Sequence, residues 1–155
     1  MKKRSKFSLS NYKLASMRMG YIVPVNLLEV LPGDSIQQST GVFMRLAPLV
    51  APVMHPVHLT VYHFYVPTRI IWDDFEDFIT GGPDGTDTSV APTLSITPAA
   101  STLADYLGLP LGNALTVSAL PFRAYNLIWN EYFRDQDLMA ELPISFASGA
   151  DTTTP

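Results

Sequence analysis

Thirteen prolines stand in this chain of 155 residues against nine glycines, and they are spread from Pro24 to Pro155. Proline fixes φ and removes a backbone donor, so it stops helices and is confined in sheets to edges, turns and strand starts. A chain punctuated this way folds into short elements joined by long connections. Pro48, Pro52 and Pro56 recur at every fourth residue. No regular helix tolerates that spacing, so residues 47–56 are expected to be an irregular crossing segment.

Between the prolines the pattern is mostly extended. Tyr21 to Val25 and Asn26 to Leu31 read as a strand with an edge proline, closed by a turn at Pro32-Gly33-Asp34. Residues 35–46 read as a second extended stretch, with Gly41 as a bulge position. Val57-His-Leu-Thr-Val-Tyr-His-Phe-Tyr-Val66 is rich in β-branched and aromatic side chains and predicts the clearest strand, ended by Pro67.

Two stretches change to a helical period. Trp72, Phe75, Phe78 and Ile79 share one arc, with Asp73, Asp74, Glu76 and Asp77 opposite and Gly81-Gly82 as the stop. Residues 81–100 read as a loop. Thr102 to Asp105 resembles a capping box that opens a short helix ending at Gly108. A second amphipathic helix starts near Pro121. Phe122, Tyr125, Ile128, Trp129, Tyr132 and Phe133 form its apolar arc, and Arg123, Asn126, Asn130, Glu131 and Arg134 its polar arc. Leu127 is an apolar side chain inside that polar arc.

Charge is divided unevenly. Residues 1–20 hold six basic residues and no acid, while the rest holds four basic and fourteen acidic ones, for a net charge of −4. Residues 1–19 therefore form a basic arm, led by Lys2, Lys3, Arg4 and Lys6, on an acidic body at 20–155. That pattern fits either a tail contacting phosphates or a plain solubilising terminus.

Catalytic and metal chemistry finds little support. With no cysteine, a disulfide framework, a thiolate metal site and a cysteine nucleophile are excluded. No apolar stretch approaches the ~20 residues of a membrane-spanning helix, so a soluble chain is expected. His58 and His63 have opposite parity on the predicted strand, against a shared metal. The acids at 73–77 lack the spacing of a calcium loop and fit a solvated helix face. No phosphate loop, nucleophile elbow or dinucleotide fingerprint occurs. The residues alone describe a β-rich chain with two amphipathic helices, a basic arm, no cofactor and no small-molecule substrate. Such a chain is expected to be structural and not an enzyme.

The run Leu120-Pro-Phe-Arg-Ala-Tyr-Asn-Leu-Ile-Trp-Asn-Glu-Tyr-Phe-Arg-Asp-Gln-Asp-Leu138 resembles the signature of the major capsid proteins of the Microviridae, small icosahedral single-stranded DNA phages, and most of all their gokushovirus branch. Val23-Pro-Val25, Glu29 to Asp34, Arg45 to Pro56, Phe64 to Pro67 and Trp72 to Gly82 agree and keep the family's order. The resemblance implies a mainly β fold: part of an eight-stranded antiparallel jelly roll with inserted short helices and long loops. Family members are several times longer, so residues 20–155 are expected to be the N-terminal part of one jelly-roll domain, unable to close a shell alone.

The resemblance also implies the work. Copies of the chain would tile an icosahedral virion shell, assembled in the host cytoplasm, around single-stranded DNA. Lys2, Lys3, Arg4 and Lys6 would face that DNA or a small basic packaging protein. Leu127, ringed by Arg123, Asn126 and Asn130, would either anchor a contact between subunits or pack under a loop of its own chain. Pro48, Pro52 and Pro56, already preordered, would dock on a neighbour at little entropic cost. The competing readings are a non-viral β-sandwich binding module, a jelly-roll metalloenzyme and a DNA-binding regulator. The last is poorly served by a helix at 121–134 with only two basic residues.

Overall fold

A computed structural model describes residues 5–151, so Lys2, Lys3 and Arg4 lie outside the described residues. The chain divides into two units: residues 28–65, and the remainder on either side.

In the unit 28–65 the expected turn is present. Asp34 N–H donates to the Leu31 carbonyl at 3.1 Å, and Leu31 N–H to Asp34 Oδ2 at 3.2 Å. Gly33 sits at φ +84°, a value a side chain would resist. The expected strands at 21–31, 35–46 and 57–66 are not formed. Backbone donors and acceptors of a strand need a partner ladder, and without one they stay with water however high the β-propensity. Most of the run 57–66 is accordingly exposed. Local contacts remain: Tyr62 stacks on Phe64 with ring centroids 6.2 Å apart, and Thr40 Oγ1 bonds His63 Nε2 at 3.0 Å.

The other unit carries all the regular elements among the described residues. Pro67 has the extended ψ of 136° and precedes helix α1, Thr68–Ile71. The chain then breaks at Trp72, with φ −153°, so the expected helix at 72–79 is shorter: α2 spans Phe75–Thr80. The break lets Trp72 turn inward, where it is fully buried and its ring meets Phe78 at 4.9 Å and Phe75 at 5.7 Å. Gly81 stops α2 as expected, at φ +85°, with its N–H on the Asp77 carbonyl at 2.7 Å.

The expected loop at 81–100 hides a strand. β1, Thr93–Ile96, pairs antiparallel with β2, Leu115–Ser118, and parallel with β3, Ala150–Asp151, in the order β2-β1-β3. Four residues are too few for period-two alternation to stand out in a sequence. Leu94 and Ile96 share one face with their partners Val117 and Leu115, and Ser95 meets Thr116 on the other. On the apolar face Leu94, Ala104, Ala119 and Phe122 form the core, with Ile96, Leu103, Leu107, Leu109 and Val117 packed against them.

Helix α3, Leu103–Tyr106, starts at Thr102 as expected, but not through a capping box. The Thr102 hydroxyl donates outward to the Ala99 carbonyl at 2.7 Å, and Asp105 accepts from Ser101 N–H at 2.8 Å. Helix α4, Leu120–Ile128, takes Pro121 in its first turn and passes into a π-helical turn at Trp129–Phe133. The β-rich expectation is thus met only by one small three-stranded sheet beside short helices.

Candidate functional site

Much of the arc of α4 that hydropathy assigned to solvent is buried too. Arg123, Asn126 and Asn130 follow the i, i+3, i+7 spacing of a single helix face, and all three are buried. Leu127 beside them is half-buried. On the opposite arc Phe122 is buried, Tyr125, Ile128 and Trp129 are partly covered, and Tyr132 is exposed.

The polar stripe holds a strap made of residues 142–151. Asn130 Nδ2 donates to the Leu142 carbonyl and its Oδ1 accepts from Leu142 N–H, both at 2.9 Å. Asn126 Nδ2 reaches the Pro143 carbonyl at 3.4 Å. Arg123, only 3% exposed, does most of the work. Its Nε and Nη2 donate to the two oxygens of Asp151 at 2.9 and 2.6 Å. Its Nη2 also donates to the Ala147 carbonyl at 2.8 Å, and Nη1 to the Ile71 carbonyl at 2.9 Å.

Only arginine offers this planar fork of donors. A buried ion pair of this kind offsets its desolvation with the help of further bonds, here those to the carbonyls of Ala147 and Ile71. The far side of the strap is pinned as well. Trp72 Nε1 donates to Ser148 Oγ at 2.8 Å, which donates to Asp74 Oδ2 at 2.6 Å. Asp73 N–H meets the Phe146 carbonyl at 3.1 Å, and Thr93 N–H meets that of Gly149 at 2.9 Å. Together these bonds bring Ala150 and Asp151 into register as β3.

A second constellation holds the stem of the N-terminal arm. Lys13 Nζ donates to the Pro24 carbonyl at 3.2 Å and also to that of Tyr106. The Tyr106 hydroxyl donates to the Ser16 carbonyl at 3.2 Å, and the Tyr125 hydroxyl to that of Ile22 at 2.8 Å. Partial burial pushes the Tyr125 phenol above its ordinary value of 10.0. The arm is therefore held at the Ser16 carbonyl and through the Lys13 side chain, while Tyr12, Leu14 and Met19 stay exposed.

The other expected site residues take no part in these bonds. Lys6 is exposed, as are Pro48, Pro52 and Pro56. Among the described residues no group of three or more His, Cys, Asp or Glu is placed to hold a metal. No helix among them is long and apolar enough to cross a membrane. Asp151 was missed in the sequence, because a lone acid near a Ser/Thr tail carries no signal. The stripe of Arg123, Asn126 and Asn130 was legible in its spacing, but polarity argued for the wrong side.

The capsid protein VP1 of Bdellovibrio phage phiMH2K is 38% identical over 96% of this chain and 29% of its own length. That of Chlamydia phage 1 is 40% identical over 92% of this chain and 26% of its own length. That of Spiroplasma virus 4 is 33% identical over 94% and 28%. The chain thus spans little more than a quarter of the length of these curated relatives. The family model described as capsid protein (F protein) matches residues 1–154, and the chain belongs to that family.

Proposed function

We propose that these residues form part of the shell-building protein of a small icosahedral single-stranded DNA phage. The match of the capsid-family model over residues 1–154 carries this reading. The three relatives named as capsid proteins support it. Copies of the protein associate into a T=1 virion shell after synthesis in the bacterial cytoplasm, and the role is geometric and not catalytic. The sheet described above is one corner of a jelly roll whose further strands come from sequence of the kind the longer relatives carry.

The exposed prolines 48, 52 and 56 are proposed to meet a neighbouring copy, with half-buried Leu127 as a further contact. Arg123, Asn126 and Asn130 act from within, by holding the strap in the shape the neighbour meets. Residues 1–19 are proposed as the arm that faces packaged DNA through Lys2, Lys3, Arg4 and Lys6, directly or beside a small basic packaging protein. Residues 20–155 then belong to the jelly-roll body.

The test is assembly of a polypeptide of the relatives' full length that carries these residues. Electron microscopy should show closed particles, and mass spectrometry should find this sequence in them. Deleting residues 1–6 should lower the DNA content and leave the shell diameter unchanged. A monomer that never assembles would overturn the reading, and unchanged DNA content would remove the arm's role.

A further inference from the structure

We propose that the stem of the arm, residues 7–21, docks on the exposed face of helix α2 in a second copy of the chain. This rests on the reading of the protein as a shell component. The stem offers an unusual surface. It is held at the Ser16 carbonyl, which accepts from the Tyr106 hydroxyl, and at Lys13, whose Nζ donates to the carbonyls of Tyr106 and Pro24. Its side chains are left outside, with Tyr12 and Leu14 nearly fully exposed at 89% and 88%, and Phe7, Met19 and Tyr21 also exposed. Contiguous exposed apolar side chains of this size mark an interaction surface.

Helix α2 offers the complement. None of its residues is buried. Phe78 and Ile79 present apolar surface to solvent, with Ile79 at 64%. Glu76 and Asp77 flank them. No lysine or arginine occurs between Arg69 and Arg123, whereas residues 1–28 contain no acid. Apolar groups on both sides and opposite charge around them select this pair of surfaces over either surface meeting its own kind. Among the described residues no hydrogen bond or ion pair joins the stem to α2 within one chain. The basic tip at residues 2–6 is left for nucleic acid, so the two roles of the arm do not compete.

The chain has no native cysteine, which makes the contact directly readable. Two polypeptides of full relative length, one carrying Tyr12→Cys and the other Ile79→Cys with different tags, are co-assembled and oxidised. The expected result is a covalent pair carrying both tags. Arg18→Glu should lower particle yield about tenfold, and adding Glu76→Lys should restore it, which also shows that the variants fold. Particles without the mixed pair would overturn the contact while leaving the shell reading intact. So would an arm reversal that lowers DNA content at unchanged yield, since the stem would then bind nucleic acid. Failure of the unmodified polypeptide to form particles would instead remove the shell reading on which the contact rests.

Discussion

Residues 142–151 and residues 57–66 invert what their composition promises. The first segment, Leu-Pro-Ile-Ser-Phe-Ala-Ser-Gly-Ala-Asp, has weak strand character, yet it is pinned along its length and ends in a paired strand. The second, Val-His-Leu-Thr-Val-Tyr-His-Phe-Tyr-Val, is as strand-like as sequence can be and forms none. A backbone becomes ordered where its donors and acceptors find partners. Arg123, Asn126 and Asn130, with the N–H groups of Asp73 and Thr93, supply those partners to the first segment. The sheet that would supply them to the second is not among the described residues.

That contrast breaks first at Arg123. Arg123→Leu should cost about 3–5 kcal/mol, because it strands Asp151 in the interior and frees several carbonyls. Urea denaturation measures this, and a loss below about 1 kcal/mol would mean the strap is held by something else. Asn130→Ala should cost about 1–3 kcal/mol, since two bonds to Leu142 are lost in a buried place. Hydrogen exchange should show the Leu142 amide released while that of Ala119, held by Pro92, stays protected.

A smaller effect sharpens the picture at the arm. The Tyr125 phenol is pushed up on folding by desolvation, so its contribution is fully present below its unfolded value. That contribution is lost as pH rises through the higher folded value. Tyr125→Phe should therefore flatten the alkaline limb of a stability profile. The smallest effect belongs to the other region: Val50→Ser, at a fully exposed site in 28–65, should change stability by no more than about 0.5 kcal/mol. A large loss there would show that the segment is already packed in the isolated chain.

What could be read in the amino-acid sequence was local. The turn at Pro32-Gly33, the stop at Gly81, the start of α4 at Pro121 and the short helix before Gly108 all follow from residues whose backbone preferences need no distant neighbour. The family was legible for the same reason, since its signature is a continuous run. The tertiary structure alone decided that the polar stripe of α4 is inside as well as Phe122. A guanidinium and two amides look like a solvent face until the carbonyls of residues 142–147 arrive to satisfy them, and those carbonyls lie up to 24 positions away. It also decided where strands form, because pairing is a property of two segments while propensity is a property of one.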